Sequence, residues 1–142
     1  MPLRISRTIH IDAAPAAVWA VMTDVERWPE WTESMRSVKR LEAGDFGLGS
    51  TVHVEAKGAP ASVFTVSEFT PGRSFTWDTR TRGISASASH LIEPDGDGSN
   101  VTLGVTMSGL AATLFFPLLA FVGRRNVRME GEGLKRRCEK GA

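Results

Sequence analysis

GLAATLFFPLLAFVGRRNVRMEGEGLKRRC, residues 109–138, is the stretch whose reading decides the fold. In its first half Leu110, Leu114, Leu118, Phe121 and Val122 recur at three to four residues, the spacing of one apolar helix face. The rest of the chain reads as short alternating strands, so this long helix is the one element able to cover a whole sheet. A curved sheet closed over a long helix encloses either a solid core or a pocket, and that choice is the functional question.

From Met107, just before the helix, to Gly123 within it the chain is uncharged. At roughly 1.5 Å per residue it would span only about 25 Å, short of the ~30 Å hydrocarbon thickness, and Pro117 interrupts it. It reads as a buried or pocket-facing segment, not a transmembrane one. Further on, Arg124 to Lys140 holds seven basic residues against three acidic ones, Glu130, Glu132 and Glu139. That pattern fits a solvated face suited to a helix C-terminus, with peripheral contact to an anionic partner or membrane surface as the alternative. Gly123, Gly131 and Gly133 weaken this half by roughly 1 kcal/mol each relative to alanine, while Val127, Leu134 and Cys138 offer the opening strand a packing face.

Upstream, Leu3, Ile5, Ile9 and Ile11 share one parity, with Arg7 the charged interruption, so the chain opens on a half-buried strand. Ala13-Ala14-Pro15 stops it, and Pro15 suits the first turn of a helix through Val18, Trp19 and Met22. Asp24 suits the cap of a second short helix that Pro29 begins afresh, with Trp28 and Trp31 on one side. From Met35 onward, strands alternate with turns: Gly44 to Gly49, Gly58-Ala59-Pro60, Pro71-Gly72, Arg82-Gly83 and Pro94 to Asn100. Connections this short require antiparallel pairing. Ile84 to Ile92 is a long strand of unusually small residues, and Val101, Leu103, Val105 and Met107 make the last alternation.

Composition narrows the function classes. A chain of 142 residues reads as one domain, 1–142, able to bury a real core. A net charge of +1 gives no reason to expect nucleic acid. The single Cys138 excludes an intrachain disulfide framework and fits a reducing, cytoplasmic compartment. Met1 to Ile11 lacks the apolar run of a signal peptide. Three histidines on separate strands and one distant cysteine give no compact metal spacing, and no cofactor motif is present: Gly44 to Gly49 lacks the lysine of a phosphate loop.

Several segments together resemble the polyketide cyclase/dehydrase-like group of the SRPBCC, START-like superfamily: Ile11-Asp12-Ala13-Ala14-Pro15 with Val18-Trp19; Asp24-Val25-Glu26-Arg27-Trp28-Pro29-Glu30-Trp31; Gly47-Leu48-Gly49-Ser50-Thr51; Val66 to Trp77 around Pro71-Gly72; and His90-Leu91-Ile92-Glu93-Pro94 leading to Gly98 to Leu103. The resemblance implies an α+β helix-grip fold: a curved antiparallel sheet wrapped around a long C-terminal helix, with two short helices after the first strand. It also implies a cavity between sheet and helix for a lipid-like or polycyclic aromatic ligand; whether the chain is a monomer or homodimer is left open by the sequence. In the cyclases of that group such a pocket orients a polyketide for cofactor-free aldol ring closure with loss of water.

The residues suggest where such a cavity would lie. Ser85, Ala86, Ser87, Ala88 and Ser89 offer little volume, leaving room opposite Leu114, Leu118 and Phe121. Trp28, Trp31, Phe64, Trp77 and Met107 are candidate walls, and Arg80 and Arg82 candidate rim residues for a ligand carboxylate. His90 shares parity with Ala86 and Ala88 and is the candidate for proton transfer, or for a hydrogen bond to a ligand carbonyl or hydroxyl. The plainer reading makes it a hydrogen-bonded residue at a half-wet strand edge. No second acid/base group stands out beside it. Cys138 follows Arg136-Arg137, whose charge would favour a thiolate, although a spare thiol is the simpler reading.

Overall fold

The computed structural model describes residues 2–140. One antiparallel sheet of seven strands runs in the order β1-β7-β6-β5-β4-β3-β2, built from β1 (Leu3–Ile11), β2 (Met35–Arg40), β3 (Thr51–Ala56), β4 (Ser62–Thr70), β5 (Ser74–Thr81), β6 (Ile84–Asp95) and β7 (Gly98–Ser108). The first two strands in sequence are therefore the two edges of the sheet. Helix α1 (Pro15–Thr23) and a 3-10 turn (Val25–Glu30) carry the chain from one edge to the other. The sheet curves into a half-barrel, helped by register shifts between Met35 and Ser37 and between Val66 and Glu68, where an extra residue bends the strand. This is the helix-grip architecture expected from the sequence.

Pro15 starts α1, where its missing N–H costs no hydrogen bond. Asp24 does not cap the next turn through its side chain; it pairs with Arg27 at 3.2 Å, and Pro29 lies inside that turn, not at its start. The hairpin turn between β5 and β6 uses positive φ at both Arg82 and Gly83, the geometry that matches strand twist.

The long helix of the sequence reading is two helices, α2 (Leu110–Leu114) and α3 (Phe116–Lys140). Pro117 has no N–H to give to Thr113, so the ladder is interrupted and Phe115 takes φ −107°, ψ 24° between the two. This break resets the helical phase. The inward stripe of α3 is Ala120, Gly123, Val127, Gly131, Leu134 and Cys138, packed mainly on β1 and α1. A Cβ at Gly133 would overlap the Trp31 carbonyl oxygen, and one at Gly123 would lie 2.6 Å from Ile5 Cδ1. These glycines are thus the points of closest helix approach, and their cost in propensity is offset by packing. Arg7, the charge on the inward face of β1, reaches Glu132 of α3 at 3.7 Å.

Candidate ligand-binding site

Inward-facing side chains of β5, β6 and β7 stand in rungs: Phe75, His90 and Leu103; Trp77, Ala88 and Val105; Thr79, Ala86 and Met107. The first rung is filled and buried. In the other two, alanine occupies the middle strand, and the volume missing between large neighbours opens a cavity of about 250 Å³ against α3. Its deep wall includes Trp28, Val54 and Trp77; the exposed Ala59, Pro60 and Arg82 form its mouth. Leu119, Val122, Gly123 and Val127 close it from the helix side. Asn126 Nδ2 donates to the Lys57 carbonyl at 3.1 Å, tying α3 to the β3–β4 turn beside the mouth.

His90 is buried, with 3% of its side chain exposed, so it does not occupy a half-wet edge. Its ring stacks on Phe75 at 4.2 Å and meets Trp28 and Trp77 edge-on at 5.5 and 5.7 Å. Nδ1 lies 3.2 Å from the Phe75 carbonyl, which can only accept, so Nδ1 carries a hydrogen. Nε2 then faces Glu130 Oε1 at 3.3 Å, and Glu130 is only 12% exposed. His90 and Glu130 together form a buried polar couple on the cavity wall.

Glu130 is the residue the sequence reading lacked. Its signal was its phase: it stands three residues after Val127 and four before Leu134, on the inward side of α3. A carboxylate within an apolar helical stripe asks for a partner.

Of the expected cavity residues, Trp28, Phe64, Trp77, Ala86, Ala88, His90 and Met107 line the space, and Arg82 stands at its rim. Others are placed elsewhere. Leu114, Leu118 and Phe121 point outward, 68%, 60% and 64% exposed, because the break before Pro117 gives the inward side of α3 to smaller residues. Trp31 stays outside the cavity, packed on Trp28 at 5.4 Å and under Gly133. Arg80 lies on the opposite face of the sheet, beside Asp78 and Ser87, as strand alternation requires once Thr79 and Thr81 face inward. The Cys138 thiol is pushed up to about 11, chiefly by burial, which removes the thiolate that neighbouring arginines were expected to favour. Among the described residues, no group of three or more His, Cys, Asp or Glu side chains is placed to hold a metal ion. No helix among them is long and apolar enough to cross a membrane.

A half-barrel sheet gripping a long C-terminal helix, with two short helices after the first strand, defines a START-like protein of the helix-grip class. The chain belongs to the family described as polyketide cyclase/dehydrase and lipid transport, whose profile matches residues 2–139. Solved structures with the same fold include the Zhui aromatase/cyclase of Streptomyces sp. R1128, 16% identical with a TM-score of 0.82 over 99% of this chain and 95% of that one. A START superfamily protein from Mycobacterium smegmatis is 14% identical, with a TM-score of 0.79 over 98% and 99% of the two chains. A norcoclaurine synthase point mutant from Thalictrum flavum, in complex with a transition-state analogue, is 10% identical, with a TM-score of 0.77 over 99% and 96%. No curated protein matches the chain significantly by sequence.

Proposed function

We propose that this chain binds a hydrophobic small molecule of bicyclic size in the cavity between β5–β7 and α3, with the ligand's one polar group held by His90 and Glu130. The observation that carries this reading is the placement of charge. Of the ionisable lining residues, Arg82 lies at the mouth while His90 and Glu130 lie deep in a wall otherwise dominated by carbon. Buried polar groups demand partners, so a ligand hydroxyl or carbonyl at that spot is favoured over plain hydrocarbon. A cavity of about 150 Å³ holds benzene, so about 250 Å³ suits roughly ten non-hydrogen atoms.

The test is a titration of 1-naphthol and naphthalene, followed by the fluorescence of Trp28 and Trp77 on the wall. Binding of 1-naphthol, weakened about tenfold in Glu130→Leu toward the level of naphthalene, is expected from the loss of one buried hydrogen bond of about 1.4 kcal/mol to the carboxylate, which keeps free lone pairs where both His90 nitrogens are engaged. Absence of saturable binding of either compound overturns the reading.

The same couple supports a second reading as a cofactor-free enzyme acting on carbonyl compounds, as in polyketide ring closure. In that reaction the couple removes a proton from the carbon beside a carbonyl, leaving an enolate, and later returns a proton. Its minimal form is deuterium exchange into 2-tetralone, a bicyclic ketone of matching size. Exchange promoted by the protein and slowed about 100-fold or more in His90→Ala supports the enzyme; binding without exchange leaves the carrier role.

A further inference from the structure

The surface beside the cavity mouth is unusually apolar. Leu110, Leu114, Phe115, Phe116, Leu118 and Phe121 are 75%, 68%, 55%, 43%, 60% and 64% exposed. All six fall within the twelve positions of α2 and the first turns of α3, so they cluster at one corner and are not the scattered apolar residues any surface carries. Along the outer face of α3 the spacing continues from Leu118 and Phe121 into Arg125 and Arg128, with Arg124 beside them. No acidic residue occurs from Leu110 to Met129. Arg124, Arg125 and Arg128 have no ion-pair partner among the described residues, whereas Arg7, Arg137 and Lys135 are paired with Glu132, Glu30 and Glu139.

We propose that the α2–α3 corner docks on an anionic lipid bilayer, with the six apolar side chains in the headgroup-acyl boundary and Arg124, Arg125 and Arg128 at the phosphates. Axial spacing supports this. From Phe121 to Arg128 the helix rises roughly 10 Å, comparable to the ~5–10 Å to which interfacial helices sink. Arginine stems bury against the apolar side while their heads reach the phosphates. A second copy of the chain is a poorer occupant. Across a twofold axis the patch would meet only itself, and from Leu110 to Met129 it offers no carboxylate to pair with Arg124, Arg125 and Arg128. The cationic turns nearest the corner, continuous with the apolar side chains and free of acidic residues, therefore define the surface.

The corner is also fixed relative to the cavity. The Ala111 N–H donates to the Gly83 carbonyl at 3.3 Å, and a Cβ on Gly109 would overlap that same oxygen. The β5–β6 turn carrying Arg82 is thus clamped to α2, and docking brings the cavity mouth to the lipid surface. Docking does not depend on the cavity being filled, so its failure and that of the ligand reading are separable.

The test is co-sedimentation of the whole chain with vesicles of phosphatidylcholine alone and of equal parts phosphatidylcholine and phosphatidylglycerol, at about 0.05 M and about 0.5 M salt. Adsorption to the anionic vesicles, weakened at least tenfold by high salt and by Leu118→Ser/Phe121→Ser or Arg125→Gln/Arg128→Gln, is expected. Thermal melts of both double variants confirm that they fold; a pair that fails to fold is replaced by Leu114→Ser or Arg124→Gln, substituted at exposed positions. No adsorption to phosphatidylglycerol vesicles at low salt, or adsorption that the folded variants leave unchanged, overturns the proposal. So does a dimer in sedimentation equilibrium that Leu118→Ser/Phe121→Ser dissolves, because the patch then belongs to a second copy.

Discussion

His90 and Glu130 are separated by forty positions and meet at 3.3 Å, and each explains the other's burial. Replacing Glu130 by leucine leaves His90 Nε2 facing carbon, a loss on the scale of 1–3 kcal/mol for an unsatisfied buried group. Glu130→Gln keeps a donor toward that nitrogen while Nδ1 still donates to Phe75, and should cost less than about 1 kcal/mol. Urea unfolding of the two variants should rank them in that order; the reverse ranking would show that the couple does not hold the site together. His10 gives a separate, solvent-exposed effect. Hydrogen bonds to Asn100 and Asp12, then the charges of Asp95 and Asp12, raise it above its ordinary 6.5. A raised histidine stabilises the folded state fully below the unfolded value, and that contribution is lost as pH rises through the folded one. The difference in melting temperature between the native chain and His10→Gln should therefore shrink from pH 5.5 to pH 8.5, and a difference that grows would refute the assignment.

At the scale of the element, α3 shows why helix propensity is a poor guide once a helix is gripped. Three of its glycines look equally unfavourable on propensity. Gly131→Ala adds a methyl at 3.7 Å from Leu103 Cδ1, an ordinary contact, and should stabilise by about 0.5–1 kcal/mol. Gly133→Ala places its methyl on the Trp31 carbonyl, backbone that cannot swing aside, and should destabilise by about 1–3 kcal/mol or more. Gly123→Ala meets Ile5 Cδ1 at 2.6 Å, a side-chain end able to shift, and should fall between them. Denaturant unfolding of the three single variants reads these signs directly. Three stabilised variants would mean that the helix does not sit against β1 and the Trp31 turn as described.

Across the whole molecule, stability and cavity volume compete. The rung Trp77, Ala88 and Val105 would pack more tightly with a larger central residue, since filling an existing void commonly adds about 0.5–2 kcal/mol. Ala88→Leu should thus raise the melting temperature while abolishing saturable 1-naphthol binding. A variant that is stabilised but still binds would place the ligand elsewhere.

Much of the architecture could be read from local pattern, because strand alternation, short turns and one long amphipathic stretch depend on neighbours in sequence. Ala86, Ala88 and His90 could be assigned to one face of β6 for the same reason: side chains in a strand alternate without regard to what lies beyond. The helix side was not accessible that way. α3 has two usable faces, and the more apolar one, Leu118 and Phe121, looks like the buried one until Pro117 breaks the phase and the sheet selects the stripe of Gly123, Val127 and Leu134. Hydrophobic periodicity ranks faces by side-chain size, whereas tertiary packing against β1 and α1 selects the face that allows backbones to approach. That selection turned Glu130 inward to His90, Trp31 away from the cavity and six large apolar residues outward beside its mouth. The sequence by itself determined the strands, their antiparallel pairing and the small-residue gap in β6; which helix face meets that gap was decided only by the folded backbone, since it depends on contacts between residues far apart in the chain.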